Sequence, residues 1–294
     1  MERSSLYFKI AKRILILFAL GIFLALIPWF DVATLRIPGV LQRIALCYLF
    51  SSLLFLKTGT KGRAIVSFSF LALYWLIMKL VPVPGYGAGI LDYEGNLCAY
   101  LDTKLLAGHL LQPGFDPEGI LSTLPAISTV LLGTLCGDWL RSSQKILTKT
   151  AGLFMGGLFL TTSGLVLHPY FPINKQLWTS TFVLFTAGVA LLLLGVCYGV
   201  MDGLKFQEWA APFLVLGINA ITVYVGSSLM ARLIRVTQVS GGSEALSLKA
   251  YIHSHLLASW AGPYLGSLIY PLLLILIWIG IMIPLYKRKI FIKI

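Results

Sequence analysis

Arg36-Ile37-Pro38-Gly39-Val40-Leu41-Gln42-Arg43 leads directly into an apolar run over 44–56. A guanidinium inside a membrane helix costs about 2.5–3.5 kcal/mol near the bilayer centre and less near an interface, so Arg43 needs a compensating partner or a watery cavity. Pro38 suits the first turn of a helix, where its missing N–H costs nothing, and Gly39 permits close approach of another backbone or a ligand. The stretch therefore predicts a helix start that aims Arg36, Gln42 and Arg43 at one region.

The surrounding composition gives the class. The chain has 294 residues, 58% of them hydrophobic and 12% charged, with a mean hydropathy of +0.88. Several apolar runs approach the roughly 20 residues that span a bilayer. The fold class expected is all-α: a polytopic membrane helical bundle of about eight transmembrane helices, as one domain over 1–294. The spans are expected near 14–30, 40–56, 64–81, 120–139, 150–167, 179–200, 210–231 and 266–286. With the N-terminus cytoplasmic, the C-terminus is cytoplasmic too. The inner segments then hold fifteen basic and four acidic residues, the outer segments seven of each, and Arg43 lies within a span. That asymmetry accounts for the net charge of +12 as a topology signal rather than a nucleic-acid footprint, so no nucleic-acid partner is expected. The basic opening has no small-residue cleavage site and does not read as a removable signal peptide.

Two outer loops exceed a simple turn, one near 82–118 and one near 232–265. The first carries Tyr86, Tyr93, Tyr100 and Phe115, which argue for ordered packing, and sugar rings can stack on such aromatics. The second, with Arg232, Arg235, Glu244, His253 and His255, reads as a mobile cover. Four scattered cysteines make neither a disulfide framework nor a metal pair. His253 and His255 would stand about 200° apart on a helix without an acidic or cysteine ligand near them, so no metal is expected.

Asp116 and Glu118 can hold an amine or accept its proton, or can cap a helix beginning near Pro117. Asn174, Lys175 and Trp178 suit a carbohydrate, and equally the ordinary anchors of a membrane interface. Asn219, near mid-span, must bond to another helix or to a ligand. Arg141, Lys145 and Lys149 fall at four-residue spacing and can meet phosphates, although a basic inner face explains them as well. Arg43 can clamp an anion or a sugar hydroxyl, or can snorkel to a helix carboxylate.

The stretches Arg36-Ile-Pro-Gly-Val-Leu-Gln-Arg43, Pro82-Val-Pro-Gly85, Asp116-Pro-Glu-Gly-Ile-Leu121, Pro172-Ile-Asn-Lys175 with Leu177-Trp178, Gly217-Ile-Asn219-Ala with Val223-Tyr-Val-Gly226, and Arg288-Lys-Ile-Phe-Ile-Lys293 occur in order over nearly the whole chain. In them the sequence resembles the heparan-alpha-glucosaminide N-acetyltransferase family of transmembrane acetyltransferases and its bacterial homologues. The resemblance implies transfer of an acetyl group from cytosolic acetyl-CoA to the amine of a glucosamine-type sugar outside. It also implies an integral protein of a bacterial inner (cytoplasmic) membrane, in contact with membrane lipid. Arg36, Gln42, Arg43, Asn174, Lys175, Trp178 and Asn219 would bind the amino-sugar acceptor, and Arg141, Lys145 and Lys149 the coenzyme. The family's catalytic histidine lies in segments before the point matching Met1, and His109, His168, His253 and His255 match no such motif. That segment is expected to precede Met1 in a longer chain, to be encoded separately as a partner, or to be missing along with the chemistry. The competing readings are a non-catalytic membrane subunit and a small-molecule transporter, the latter predicting repeats and paired broken helices.

Overall fold

The structure, a computed structural model, describes residues 3–241 and 244–292. Glu2 and Lys293, counted above on the inner side, lie outside them. The backbone falls into two compact units, Met1–Ala25 with Val32–Phe206, and Leu26–Asp31 with Gln207–Ile294.

The first unit is built from α1 (Arg3–Leu26), α2 (Val40–Lys57), α3 (Thr60–Leu80), the short α4 (Leu97–Leu105), α5 (Thr123–Arg141), α6 (Ile146–Leu167) and α7 (Ser180–Tyr198). α1 starts well before the expected 14, because a helix satisfies its own backbone whatever its side chains and so continues through Lys9, Lys12 and Arg13. It ends two residues before Pro28, whose ring disfavours helical geometry in the preceding residue. Between α3 and α4 the chain forms a two-residue hairpin, β1 (Pro82–Val83) with β2 (Gly87–Ala88).

Polar contacts lock the helices where apolar attraction alone is weak in lipid. Ser67 and Ser128 each donate a hydroxyl to the other's carbonyl, at 3.3 and 2.9 Å, joining α3 to α5, and Ser180 donates to Leu71 O at 2.7 Å. α6 and α7 approach so closely that a methyl at Gly188 would collide with the backbone of Thr161. A buried cluster of Tyr74, Met78, Val83, Leu97, Cys98, Phe115, Phe171 and Leu177 then seats α4 and its flanking turns on the ends of α3 and α7.

The second unit holds α8 (Ala211–Ile218), α9 (Ala220–Val236), the hairpin β3 (Gln238–Gly241) with β4 (Glu244–Ser247), α10 (Leu248–Tyr251) and α11 (Ala258–Lys287). The span expected over 210–231 is instead a pair bent by 71° at Asn219. α11 is interrupted at Gly262, whose φ of 77° precedes Pro263.

Among the described residues six helices are long and apolar enough to cross a membrane, or seven if α8 and α9 make one span. The chain is an integral membrane protein.

Candidate functional site

The start of α5 gathers five ionisable side chains. Arg36, on the approach to α2, grips Asp116 with Nε on Oδ2 at 2.8 Å and Nη2 on Oδ1 at 2.6 Å, and Nη2 also reaches Glu118 Oε2 at 2.5 Å. Burial by itself lowers the arginine pKa. The hydrogen bonds and charges of Asp116 and Glu118 outweigh that and hold it above its ordinary value. The backbone N–H groups of Leu111 and Glu118 add bonds of 2.9 Å each to Asp116. Its two oxygens thus accept four donors, about all that a carboxylate takes, so Asp116 is a structural clamp. It does not cap α5, which begins only at Thr123; its neighbours 117–122 form turns rather than the first helical turn expected there.

Arg43 lies against the other side of those turns. Its Nη2 donates to Pro117 O at 2.7 Å, to Gly119 O at 3.3 Å and to Ser122 Oγ, and its guanidinium sits 5.1 Å from the centroid of the Trp178 ring. The residue is 6% exposed, and Nε and Nη1 are buried without a hydrogen-bond partner. Trp178 holds a left-handed backbone at φ 50°, strained for a bulky residue, and its indole donates to Thr129 Oγ1 at 3.3 Å. Gln42 is buried beside Arg43, folded onto Gly39, where a methyl would collide with its amide. Gly39, with extended backbone, is the N-cap of α2, so Pro38 stands just before the helix instead of in its first turn.

Asp102, on the buried face of α4, was not legible as a site residue. One oxygen accepts the Ile120 N–H at 2.9 Å; the other is buried, without a partner, against Gly119, where no side chain fits. Burial raises its pKa to about 6; the Ile120 bond offsets part of this, the Asp116 charge adds to it, and the Arg43 charge opposes it. The turns 117–122 are therefore held by a guanidinium on their carbonyls and a carboxylate on an amide. One turn back on α4, burial pushes the Cys98 thiol up to about 12, so it is no nucleophile.

The remaining candidates have local partners. Asn174 Oδ1 accepts from Gln176 N and Leu177 N at 2.8 and 3.3 Å, fixing the turn before α7, while Lys175 is exposed. Asn219 belongs to the second unit, at the break between α8 and α9. There its amide pairs with the backbone of Ile290 and Ile292 at 3.2 and 2.9 Å. Arg141 ends α5, Lys145 caps α6, and Lys149 Nζ donates to Leu140 O at 2.7 Å, so the three line a helix connection and not one helical face. His109 Nδ1 meets Leu35 O at 2.7 Å, and His168 accepts from Ile173 N at 3.0 Å. Beyond Trp178 an apolar cleft of about 780 Å3 runs between α5, α6 and α7 as far as Trp139, and Gly133 faces its open space.

No family model matches the chain. It is similar to the human heparan-alpha-glucosaminide N-acetyltransferase, 30% identical over 277 residues that take in 74% of this chain and 41% of that protein. The mouse heparan-alpha-glucosaminide N-acetyltransferase is 28% identical over 247 residues, 66% of this chain and 38% of that protein. The chain thus spans about two fifths of the length of the curated relatives it matches.

Proposed function

The chain belongs to the heparan-alpha-glucosaminide N-acetyltransferase family, and on that premise we propose that it forms the acceptor-side part of a membrane acetyltransferase. The donor is cytosolic acetyl-CoA and the acceptor the amine of a glucosamine-type sugar on the outer side of a bacterial inner membrane. The observation that carries this reading is Arg43. Among the described residues it is a buried guanidinium touching carbonyls, a hydroxyl and an aromatic face but no carboxylate, with two nitrogens still without partners.

In the reaction the amine nitrogen attacks the thioester carbonyl carbon, the C–O π bond opens to an oxyanion, and the C–S bond then breaks to release the thiolate. Arg43 supplies donors to the oxyanion in a site walled from water, where such donors act most strongly. The proton lost by the amine passes through a carboxylate to the leaving thiolate. Glu118, with one oxygen on Arg36, has the capacity for this that Asp116 lacks. Trp178 gives the sugar an apolar platform. The apolar cleft beyond it suits the thioester arm, with Arg141 and Lys145 toward the phosphates. A separately encoded membrane segment is a proposed partner, and a non-catalytic subunit is the alternative.

The test uses membranes carrying the chain, alone and co-expressed with the coding sequence next to its own, supplied with labelled acetyl-CoA and glucosamine. N-acetylglucosamine formed in either arm, and lost in Arg43→Lys, is the expected result. No transfer in both arms, or transfer unaffected by Arg43→Lys, overturns the proposal.

A further inference from the structure

The peptide that joins Gly119 to Ile120 is held from both sides by buried charge. Its carbonyl accepts from Arg43 Nη2 at 3.3 Å, and its N–H donates to Asp102 Oδ1 at 2.9 Å. A trans peptide is planar, with its carbonyl and N–H pointing in opposite directions, so the guanidinium and the carboxylate bracket one dipole whose oxygen faces the cation and whose hydrogen faces the anion. Both side chains are out of water, Arg43 at 6% and Asp102 at 0% exposed. Gly119 adds a steric condition: a methyl there would collide with Asp102 Oδ2, so the carboxylate fits across this peptide only because the residue has no side chain.

A neutral oxygen would satisfy the Ile120 N–H without placing a negative charge in a dry site, so the charge of Asp102 needs a reason of its own. The ionisable groups that act on it are Asp116, Arg43, the Tyr74 phenol on α3 and the Cys98 thiol on α4. Asp116 repels it and is held by Arg36, and a phenol and a thiol carry no charge at neutral pH. Among these groups Arg43 is the cation, and it favours the ionised carboxylate. Because the contact passes through a peptide, the attraction reaches Arg43 without occupying Nε and Nη1, which stay unpartnered. Hydrogen bonds in such a chain polarise one another, by about 10–30% per bond.

We propose that Asp102 is a positioning residue for the acetyl transfer: through the Gly119–Ile120 peptide it gives Arg43 a counter-charge that leaves the free guanidinium nitrogens for the oxyanion. The inference rests on the acetyltransferase reading above, and a melting experiment tests it apart from that reading. Wild type, Asp102→Asn, Arg43→Gln and the double variant are purified in detergent and melted at pH 8. Asp102→Asn removes a buried charge and should raise the melting temperature. Without the Arg43 charge that carboxylate is harder to bury, so the rise should be about two-fold larger in Arg43→Gln. A rise that is equal or smaller there overturns the proposal. Transfer is followed in membranes as above for wild type, Asp102→Asn, Arg43→Lys and their double variant. Asp102→Asn should lower kcat about three- to ten-fold, the range of one hydrogen bond losing its charge, with KM for both substrates changed by less than about two-fold. Beside Arg43→Lys it should cause no further loss. A defect confined to KM, or one repeated in full beside Arg43→Lys, overturns the positioning role. Asp102→Ser, smaller and also neutral, carries both arms where the asparagine variant does not accumulate. A wild type that transfers no acetyl group but shows the larger rise in Arg43→Gln keeps the coupling of Asp102 to Arg43 and removes the catalytic reading; transfer with equal rises does the reverse.

Discussion

The two ends of α5 each hold a buried arginine, and they use it differently. At the end near Arg141, Arg63 is 4% exposed, donates to Asp138 at 2.5 Å and lies 4.2 Å from the Phe55 ring centroid. At the end near Thr123, Arg43 is 6% exposed and lies over Trp178, yet its contacts are carbonyls and a hydroxyl. In both, Nη2 makes the hydrogen bonds while Nε and Nη1 remain buried and unpartnered. The aromatic partner and the burial are thus shared. What differs is the counter-charge: Arg63 is paired with Asp138, whereas no carboxylate among the described residues bonds Arg43, Arg36 holding Asp116 and one oxygen of Glu118 and Ile120 N–H one oxygen of Asp102. A buried cation with no carboxylate bonded to it among the described residues marks the end of the helix at which an anion, or a developing oxyanion, gains a direct partner.

The sharpest way to break that contrast is the same substitution at both ends. Arg43→Lys keeps the charge and loses the planar fork. Acetyl transfer should fall about 30- to 1,000-fold, the equivalent of about 2–4 kcal/mol of transition-state stabilisation. Arg63→Lys should leave transfer near wild type. Equal losses at both positions, in protein of unchanged thermal stability, would show that the two arginines are alike and merely structural.

Asp138→Asn comes next in size. It leaves Arg63 buried without its charge partner and should destabilise the protein by about 3 kcal/mol, the low end for a broken buried pair because Asp138 keeps 27% of its side chain exposed. A thermal melt in detergent measures this. An unchanged melting temperature would mean the pair contributes nothing.

Asp102→Asn tests the carboxylate on the other side of the α5 turns. The folded pKa of about 6 stands above the ordinary value near 4. The raised pKa therefore contributes stability that is full below about pH 4 and is lost as pH rises through 6. Up to about 3 kcal/mol is involved. Wild type should melt at lower temperature at pH 8 than at pH 5, and Asp102→Asn, which still accepts from Ile120 N–H, should flatten that slope. Identical slopes in the two proteins would refute the assignment. The smallest effect is expected for Asn174→Ala, which removes two turn-fixing bonds and should cost about 1 kcal/mol in a melt without lowering acetyl transfer by more than about two-fold. A large loss of transfer there would return Asn174 to the substrate site.

Where a run of apolar residues ends in charge, the sequence marks its own helix boundaries, and α2, α3, α6 and α7 start and stop within a few residues of the expected places. α1, the break at Asn219 and the break at Gly262 were less legible. A helix runs on through charged residues when its backbone is satisfied, a lone Asn in an apolar run carries no sign that the chain turns there, and Gly262-Pro263 lay in the expected outer loop 232–265, where the structure instead begins α11 at Ala258. Arg36, Arg43, Asp116 and Glu118 stood out because charge beside an apolar run demands a partner. Asp102 did not, because what buries it is Ile120 and Gly119, eighteen and seventeen residues further on, and nothing within α4 announces that contact.

The groups that receive Arg43 and Arg36 are separated from them along the chain by 74 and 80 residues. At about 5–20 residues per second of synthesis, α2 exists for roughly 4–15 s before the turn that accepts Arg43 has been made. Throughout that interval Arg43 has no carbonyls to hold it, at a cost of up to about 2.5–3.5 kcal/mol wherever it is exposed to hydrocarbon. Biogenesis must therefore keep the start of α2 hydrated, at the interface or within the insertion machinery, until α5 arrives.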